Sequence, residues 1–332
     1  MARYRQDLPQ LNGDLYLTDA GLETDLIFNH GIEIKGFAAH TLLPLESGCL
    51  AMTNYYRGFL SLAQVMNTGF ILDGQTWKAH AHWAGDLGES IDDLRESNRA
   101  SVAYIAALRD EYADNKQPIV LNCSLGPRGD AYAPDYHITA REAEDYHALQ
   151  LSWLADTDVD MITAMTFTQA EEAIGAIRAA QAVDLPIVVS FTLETDGLLP
   201  TGQSLKEAIE QVDRETDNAA IYFMINCAHP DHFPDNFPDN FGNNLANKMR
   251  THDWSRRIKG IRCNASRMSH AELDNCTVLD AGDPDELGSQ YRAIHDKMPW
   301  LNVFGGCCGS DLRHVTEIAR NIRGKNDSGA KY

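Results

Sequence analysis

Positive charge is scarce in this chain of 332 residues: 28 lysines and arginines stand against 48 aspartates and glutamates, a formal net charge of −20 at pH 7. That balance argues against a nucleic-acid backbone or an anionic membrane surface as partner and favours a small molecule. No apolar run approaches the ~18 residues of a membrane span, and the opening stretch Met1 to Pro9 has no apolar signal segment. A soluble, unexported protein is expected. The seven cysteines are odd in number and scattered at 49, 123, 227, 263, 276, 307 and 308, which does not read as a secreted disulfide framework and fits a reducing cytoplasm. No Gly-x-Gly-x-x-Gly follows the first apolar run, as a dinucleotide-binding fold would suggest. No linker divides the chain, which reads as one domain over 1–323, with a disordered tail expected at 324–332.

What is present is ample core material, 44% hydrophobic, arranged in short β-prone runs. These are Leu15 to Leu17, Phe70 to Leu72, Ile119 to Leu121, Met161 to Ala164, Ile187 to Phe191, Ile221 to Ile225, Ile258 to Arg262 and Leu301 to Phe304. Helical segments follow at 90–114, 139–157, 168–182, 204–217, 284–297 and 311–322. Capping boxes at Thr139/Glu142, Thr168/Glu171, Ser204/Glu207 and Ser269/Glu272, and the pair Asp283-Pro284, mark helix starts. Strand then helix, eight times over, predicts a single-domain (β/α)8 TIM barrel, with a doubly wound open sheet as the alternative. One segment stands apart: 229–242 repeats Phe-Pro-Asp-Asn and reads as a loop, either a lid or a solvated surface excursion.

The eighth run ends in Gly305-Gly-Cys-Cys-Gly309. Successive strand side chains point to opposite faces, so Cys307 and Cys308 reach one point only where the backbone bends, which the glycines permit. Cys227, at the end of the sixth run, supplies a third sulfur. Three thiolates suit a tetrahedral zinc with one position open, the pattern of a catalytic site. The other readings are a vicinal disulfide and buried cysteines acting as small apolar side chains. His229 and His232 are weaker ligand candidates, and Cys123 and Cys263 read as structural. In a barrel of this kind the active site lies at the carboxyl ends of the strands. Those ends carry Asp19, Asp73, Asn122, Ser124, Thr166, Thr192, Glu194, Asn226 and Asn264.

Asp19-Ala-Gly-Leu-Glu-Thr24, Gly126-Pro127, Ser190-Phe-Thr-Leu193 with Asp196 and Gly202, Ile225-Asn-Cys227 and Gly305-Gly-Cys-Cys-Gly309 together resemble the homocysteine S-methyltransferase family. The likeness runs from about Leu15 to Ile318. It implies a barrel enzyme that binds Zn2+ through Cys227, Cys307 and Cys308 and methylates the thiol of homocysteine, giving methionine. The methyl donor would be an onium compound such as betaine or S-methylmethionine. Substrate would contact Asp19, which matches a family carboxylate near the substrate amine, and Glu23, Thr24, Asp73, Thr166, Glu194 and Asn226. The chain departs from the pattern at Met165-Thr166, where a glutamate usually precedes the threonine, and at Asp73 to Trp77. Asp73 is the first candidate to replace the missing carboxylate.

The chemistry suits these residue types. A free thiol is only a few per cent thiolate at pH 7, and a metal deprotonates it outright. Aromatic faces at Trp77, Trp83, Tyr132, Tyr136 and Phe167 are compatible with a cationic donor. The alternatives are zinc-dependent methylation of a different thiol, zinc-dependent hydrolysis, and a zinc or redox sensor that is not an enzyme.

Overall fold

The computed structural model describes residues 1–112, 117–132, 136–233, 253–274 and 276–324. Eight strands close into one barrel in chain order: β1 Tyr16–Leu17, β2 Gly69–Gly74, β3 Ile119–Leu125, β4 Met161–Phe167, β5 Ile187–Phe191, β6 Phe223–Asn226, β7 Ile258–Cys263 and β8 Val303–Gly306. Every neighbouring pair is parallel, and β1 closes on β8 through Tyr16 against Val303 and Leu17 against Phe304. The (β/α)8 expectation holds, and the open sheet does not. All eight expected strands form, although Ile221 and Leu301 lie just ahead of theirs.

Seven long helices lie among the described residues: α1 Glu46–Val65, α2 Ile91–Glu111, α3 Ala140–Ala155, α4 Ala170–Gln181, α5 Leu205–Thr216, α6 Pro284–Lys297 and α7 Leu312–Arg323. Capping boxes form at Thr139, Ser204 and Ser269, and Asp283 accepts from the amides of Asp285 and Glu286. The Thr168/Glu171 box does not form. Thr168 is fully buried at the end of β4, so the extended backbone runs on and the cap falls one residue later, at Gln169, without a side-chain bond. α1 has no side-chain cap, which is why no start signal announces it. α2 starts with a box closed by an aspartate, Ser90 with Asp93. The segment 229–242 is described only as far as Phe233, and the expected tail lies, apart from Gly324, outside the described residues.

Two apolar layers follow from the period-two alternation of the strands. Outward residues such as Leu72, Leu121, Ile162, Phe191 and Phe304 meet the helices. Inward residues at the amino ends, Tyr16, Ile71, Val120, Met161, Val188, Tyr222, Met224 and Val303, pack with Leu8 inside the barrel. The amino-terminal segment seals that end. Arg5 donates to the carbonyls of Ala155, Thr157 and Val159, and Asn302 donates to those of Gln10 and Asp14. Further along the same inward faces the residues turn polar: Asp73, Asn122, Thr163, Ser190, Asn226 and Arg262 are all buried. With the lower half plugged, the barrel opens only toward the carboxyl ends of its strands.

Candidate active site

Strand alternation would place Asn226 and Cys227 on opposite faces, yet both act at the barrel mouth. Cys227 takes a left-handed conformation, φ 53°, which breaks the alternation at a cost of about 1 to 2 kcal/mol. Thr166 does the same at the end of β4, φ 65°, where the register with β5 slips. Asn226 ties the two together: its Oδ1 accepts from the Thr166 amide at 3.0 Å and the Ser190 hydroxyl at 2.6 Å, and its Nδ2 donates to the Thr166 hydroxyl at 2.7 Å. The same Nδ2 lies 3.8 Å from the Cys307 sulfur.

At the end of β8 the glycines do two different jobs. A side chain at Gly305 would collide with Thr18 and one at Gly306 with Ser310, so these two let β8 press against its neighbours. Gly309 supplies the bend, φ 78°, and its amide donates to the Thr24 hydroxyl at 3.1 Å. The turn is held further by the Cys307 amide on the Cys263 carbonyl and by Ser310 on the Cys307 carbonyl.

These turns bring the sulfurs of Cys227, Cys307 and Cys308 within 4.8 Å of one another, with Cys227 and Cys308 at 3.9 Å. Bonds of about 2.3 Å in a tetrahedral site put sulfurs about 3.8 Å apart, so the donor set fits zinc with small adjustments. All seven cysteines are free thiols. Hydrogen bonds from Cys227 and Cys308 hold the Cys307 thiol well below its usual range, and sharing that one charge pushes the other two up. On the open side of the sulfur group stands Tyr132, whose hydroxyl is 3.0 Å from the Cys308 sulfur and 3.4 Å from that of Cys227. The Tyr132 ring stacks on His270 at 4.7 Å. His270 Nε2 donates to the Cys227 carbonyl at 2.8 Å, and its Nδ1 faces Glu194 at 3.1 Å. Burial opposes the imidazolium, but the Glu194 bond and that carbonyl outweigh it and raise the His270 pKa.

The sulfurs face a cavity of about 440 Å³, whose wall includes Asp19, Glu23, Thr24, Asp73, Thr166, Met165, Trp77, Trp83 and Tyr132. Arg262, which the sequence reading left unassigned, crosses its floor. Its guanidinium bonds Asp19 at 2.5 Å, pairs closely with Asp73, and donates through Nε to the Gly306 carbonyl at 3.1 Å. Asp73 is held further by Asn122 Nδ2 at 2.7 Å, and Asp19 lies 3.4 Å from the Tyr55 hydroxyl. The signal was its place: inward by alternation with Gly260, near the carboxyl end of β7. An arginine there needs buried carboxylates, and the two strand-end aspartates supply them.

Of the candidate substrate residues, Asp19, Glu23, Thr24, Asp73 and Thr166 line the cavity, Asn226 stands behind the sulfurs, and Glu194 acts through His270. Neither His229 nor His232 joins the sulfur group; His229 caps the turn Pro230–His232 and His232 donates to the Arg267 carbonyl. Cys123 and Cys263 are buried in the core, and burial pushes both thiols up to about 12. Trp77, Trp83 and Tyr132 reach the cavity, whereas Tyr136 bonds Glu172 and Phe167 packs on His147.

A parallel eight-stranded barrel with three convergent thiols at the carboxyl ends of β6 and β8 defines a barrel enzyme with a sulfur-based centre. The family model for homocysteine S-methyltransferase matches residues 17–322, so the chain belongs to that family and is a methyltransferase. Its fold is similar to that of the homocysteine methyltransferase MmuM from Escherichia coli. The oxidized form of that protein is 16% identical, with a TM-score of 0.71, over 95% of this chain and 99% of the other. Its metallated form gives a TM-score of 0.68 at the same identity and coverage. Among the described residues no helix is long and apolar enough to cross a membrane.

Proposed function

We propose that the chain moves a methyl group from an onium donor, of the S-methylmethionine or betaine kind, to the sulfur of homocysteine, giving methionine, at a zinc held by Cys227, Cys307 and Cys308. The observation that carries this is the convergence of three sulfurs on the wall of the cavity at the barrel mouth. When bound, the metal would keep the acceptor sulfur as a thiolate. The remaining chemistry belongs to the protein. Asn226 and Cys307's neighbours fix the sulfurs, the plugged barrel excludes water from below, and the cavity wall aligns donor methyl and acceptor sulfur. Alignment of that kind contributes roughly 7 kcal/mol or more. No side chain needs to remove a proton from carbon or oxygen.

The related E. coli methyltransferase is known in both an oxidized and a metallated form, which supports a thiol centre that takes a metal when reduced. A reducing cytoplasm is the compartment this requires. For the donor, Trp77 and Trp83 offer ring faces, but Lys78 Nζ lies 4.0 Å from the Trp83 ring centroid and farther, 5.9 Å, from that of Trp77. Trp77 is therefore the better cation platform. One observation favours a second reading, methylation of a different thiol: Met165 lines the cavity where a carboxylate would hold the amine of homocysteine. The deciding experiment supplies zinc-loaded protein with S-methylmethionine or betaine and a panel of thiols, and measures methylated product. Methionine from homocysteine supports the first reading; turnover of another thiol alone supports the second, and no transfer to any thiol overturns both.

A further inference from the structure

Asp19, Glu23 and Asp73 line the cavity together with Asp130 and Asp274, which are exposed, and Asp280, which accepts from Ser266 and Gly282; of the first three, two are committed. Asp19 and Asp73 share the Arg262 guanidinium, and Asn122 occupies the second oxygen of Asp73. An ammonium arriving at either would compete with a buried arginine. The third, Glu23, stands apart: its carboxylate is met only by its own backbone amide. The nearest cation, Lys78, gives its ammonium to the Gly36 carbonyl at 3.0 Å and the Trp83 face.

Glu23 is also fixed relative to the sulfurs. Its turn, Leu22–Thr24, is clamped to the β8 end through the Gly309 amide on Thr24, and Gly21 packs so closely on the Cys307 carbonyl that an added side chain carbon would sit 2.6 Å from that oxygen. An acceptor whose sulfur reaches Cys227, Cys307 and Cys308 therefore meets at Glu23 a carboxylate not committed to Arg262, held on the turn that is locked to the same loop.

We infer that Glu23 is the specificity-determining residue that selects an aminothiol acceptor by pairing with its ammonium, the role that Met165 leaves vacant. The inference rests on the methyltransferase reading above. A charge-assisted pair of this kind distinguishes an aminothiol from the same thiol without its amine.

The test is isothermal titration of the zinc-loaded protein with homocysteine and with 4-mercaptobutyrate, its counterpart lacking the amine, for wild type, Glu23→Gln and Glu23→Asp. Homocysteine binding should weaken tenfold or more in Glu23→Gln and by less in Glu23→Asp, while 4-mercaptobutyrate binding changes less than twofold in both. Equal losses for the two thiols, or no loss for either, would overturn the inference and leave the methyltransferase reading standing. Wild type that binds both thiols equally would do the same. Wild type that binds neither, with zinc present, overturns both readings together.

Discussion

The hydroxyl of Tyr132 stands 3.0 Å from the sulfur of Cys308, on the side of the sulfur group that faces the cavity. A thiol that joins the three cysteines must enter where that hydroxyl now sits. Tyr132 is thus a competitor for the acceptor position, held there by its stack on His270. A hydrogen bond contributes about 0.5 to 1.5 kcal/mol net, so its removal is worth roughly a twofold to tenfold change. Tyr132→Phe should tighten thiol binding by that factor and leave the metal content unchanged. Weaker thiol binding in the variant would mean that the hydroxyl holds substrate.

The sulfur group makes a prediction of its own. Cys227→Ala, Cys307→Ala and Cys308→Ala should each lose tight zinc binding, because two thiolates and the open position do not hold the ion as three do. The purified reduced protein should carry about one zinc per chain. Elemental analysis after gel filtration reads the outcome, and the thermal transition should persist in all three variants. A barrel of this size has a core that does not depend on a metal. Full zinc content in any one variant removes that cysteine from the site.

Much of this arrangement was legible in the sequence, because barrels repeat one local pattern eight times. Short apolar runs such as Ile187 to Phe191 and capping boxes such as Ser204/Glu207 are set by neighbours in the chain. So is the bend at Gly309. What was hidden depends on partners far apart in sequence. Arg262 bonds Asp19 and Asp73 across separations of 243 and 189 residues, and its inward place on β7 does not say which carboxylates it meets. Tyr132 gives no signal of its place over the sulfurs, since an aromatic in a loop is ordinarily packing. α1 was missed because the Leu45 side chain at its start caps no amide and its apolar face carries no boundary mark. Cys227 was placed correctly at a strand end, but its left-handed backbone is a residue-level feature that no pattern of side chains reveals.

Asn226 should be worth more to stability than its size suggests. It satisfies the Thr166 amide and the Ser190 hydroxyl, both buried, and supports the left-handed turn at Thr166. Asn226→Ala leaves those donors without their acceptor, a loss of about 2 kcal/mol or more. Calorimetry should show a lower Tm by roughly 3 °C or more. Asn226→Asp keeps both acceptor sites and should recover part of that loss, while placing a negative charge beside Cys307 and so raising that thiol. If Asn226→Ala melts like wild type, the turn at Thr166 is held by other contacts.

The carboxyls of the cavity set a pH dependence whose sign follows from their burial. Burial pushes the Asp19 and Glu23 carboxyls up to about 7, and the Arg262 charge offsets only part of this for Asp19. In the unfolded chain both titrate near their ordinary values of about 4. The folded protein therefore holds these protons more tightly than the unfolded one, and stability falls as pH rises across that interval. Their contribution is fully present below about pH 4 and is lost as pH rises through about 7. The part of the wild-type Tm that depends on these two carboxyls should accordingly decline between pH 5 and pH 8. Glu23→Gln, which resembles the protonated form at every pH, should show a shallower decline and melt above wild type at pH 8. Homocysteine should recover part of the wild-type loss at pH 8, where Glu23 is ionised and its ammonium partner is most valuable, and should recover less in Glu23→Gln. Parallel melting curves for the two proteins across this range would mean that the Glu23 carboxyl ionises as freely in the fold as in the unfolded chain, and would remove it from the dry part of the cavity.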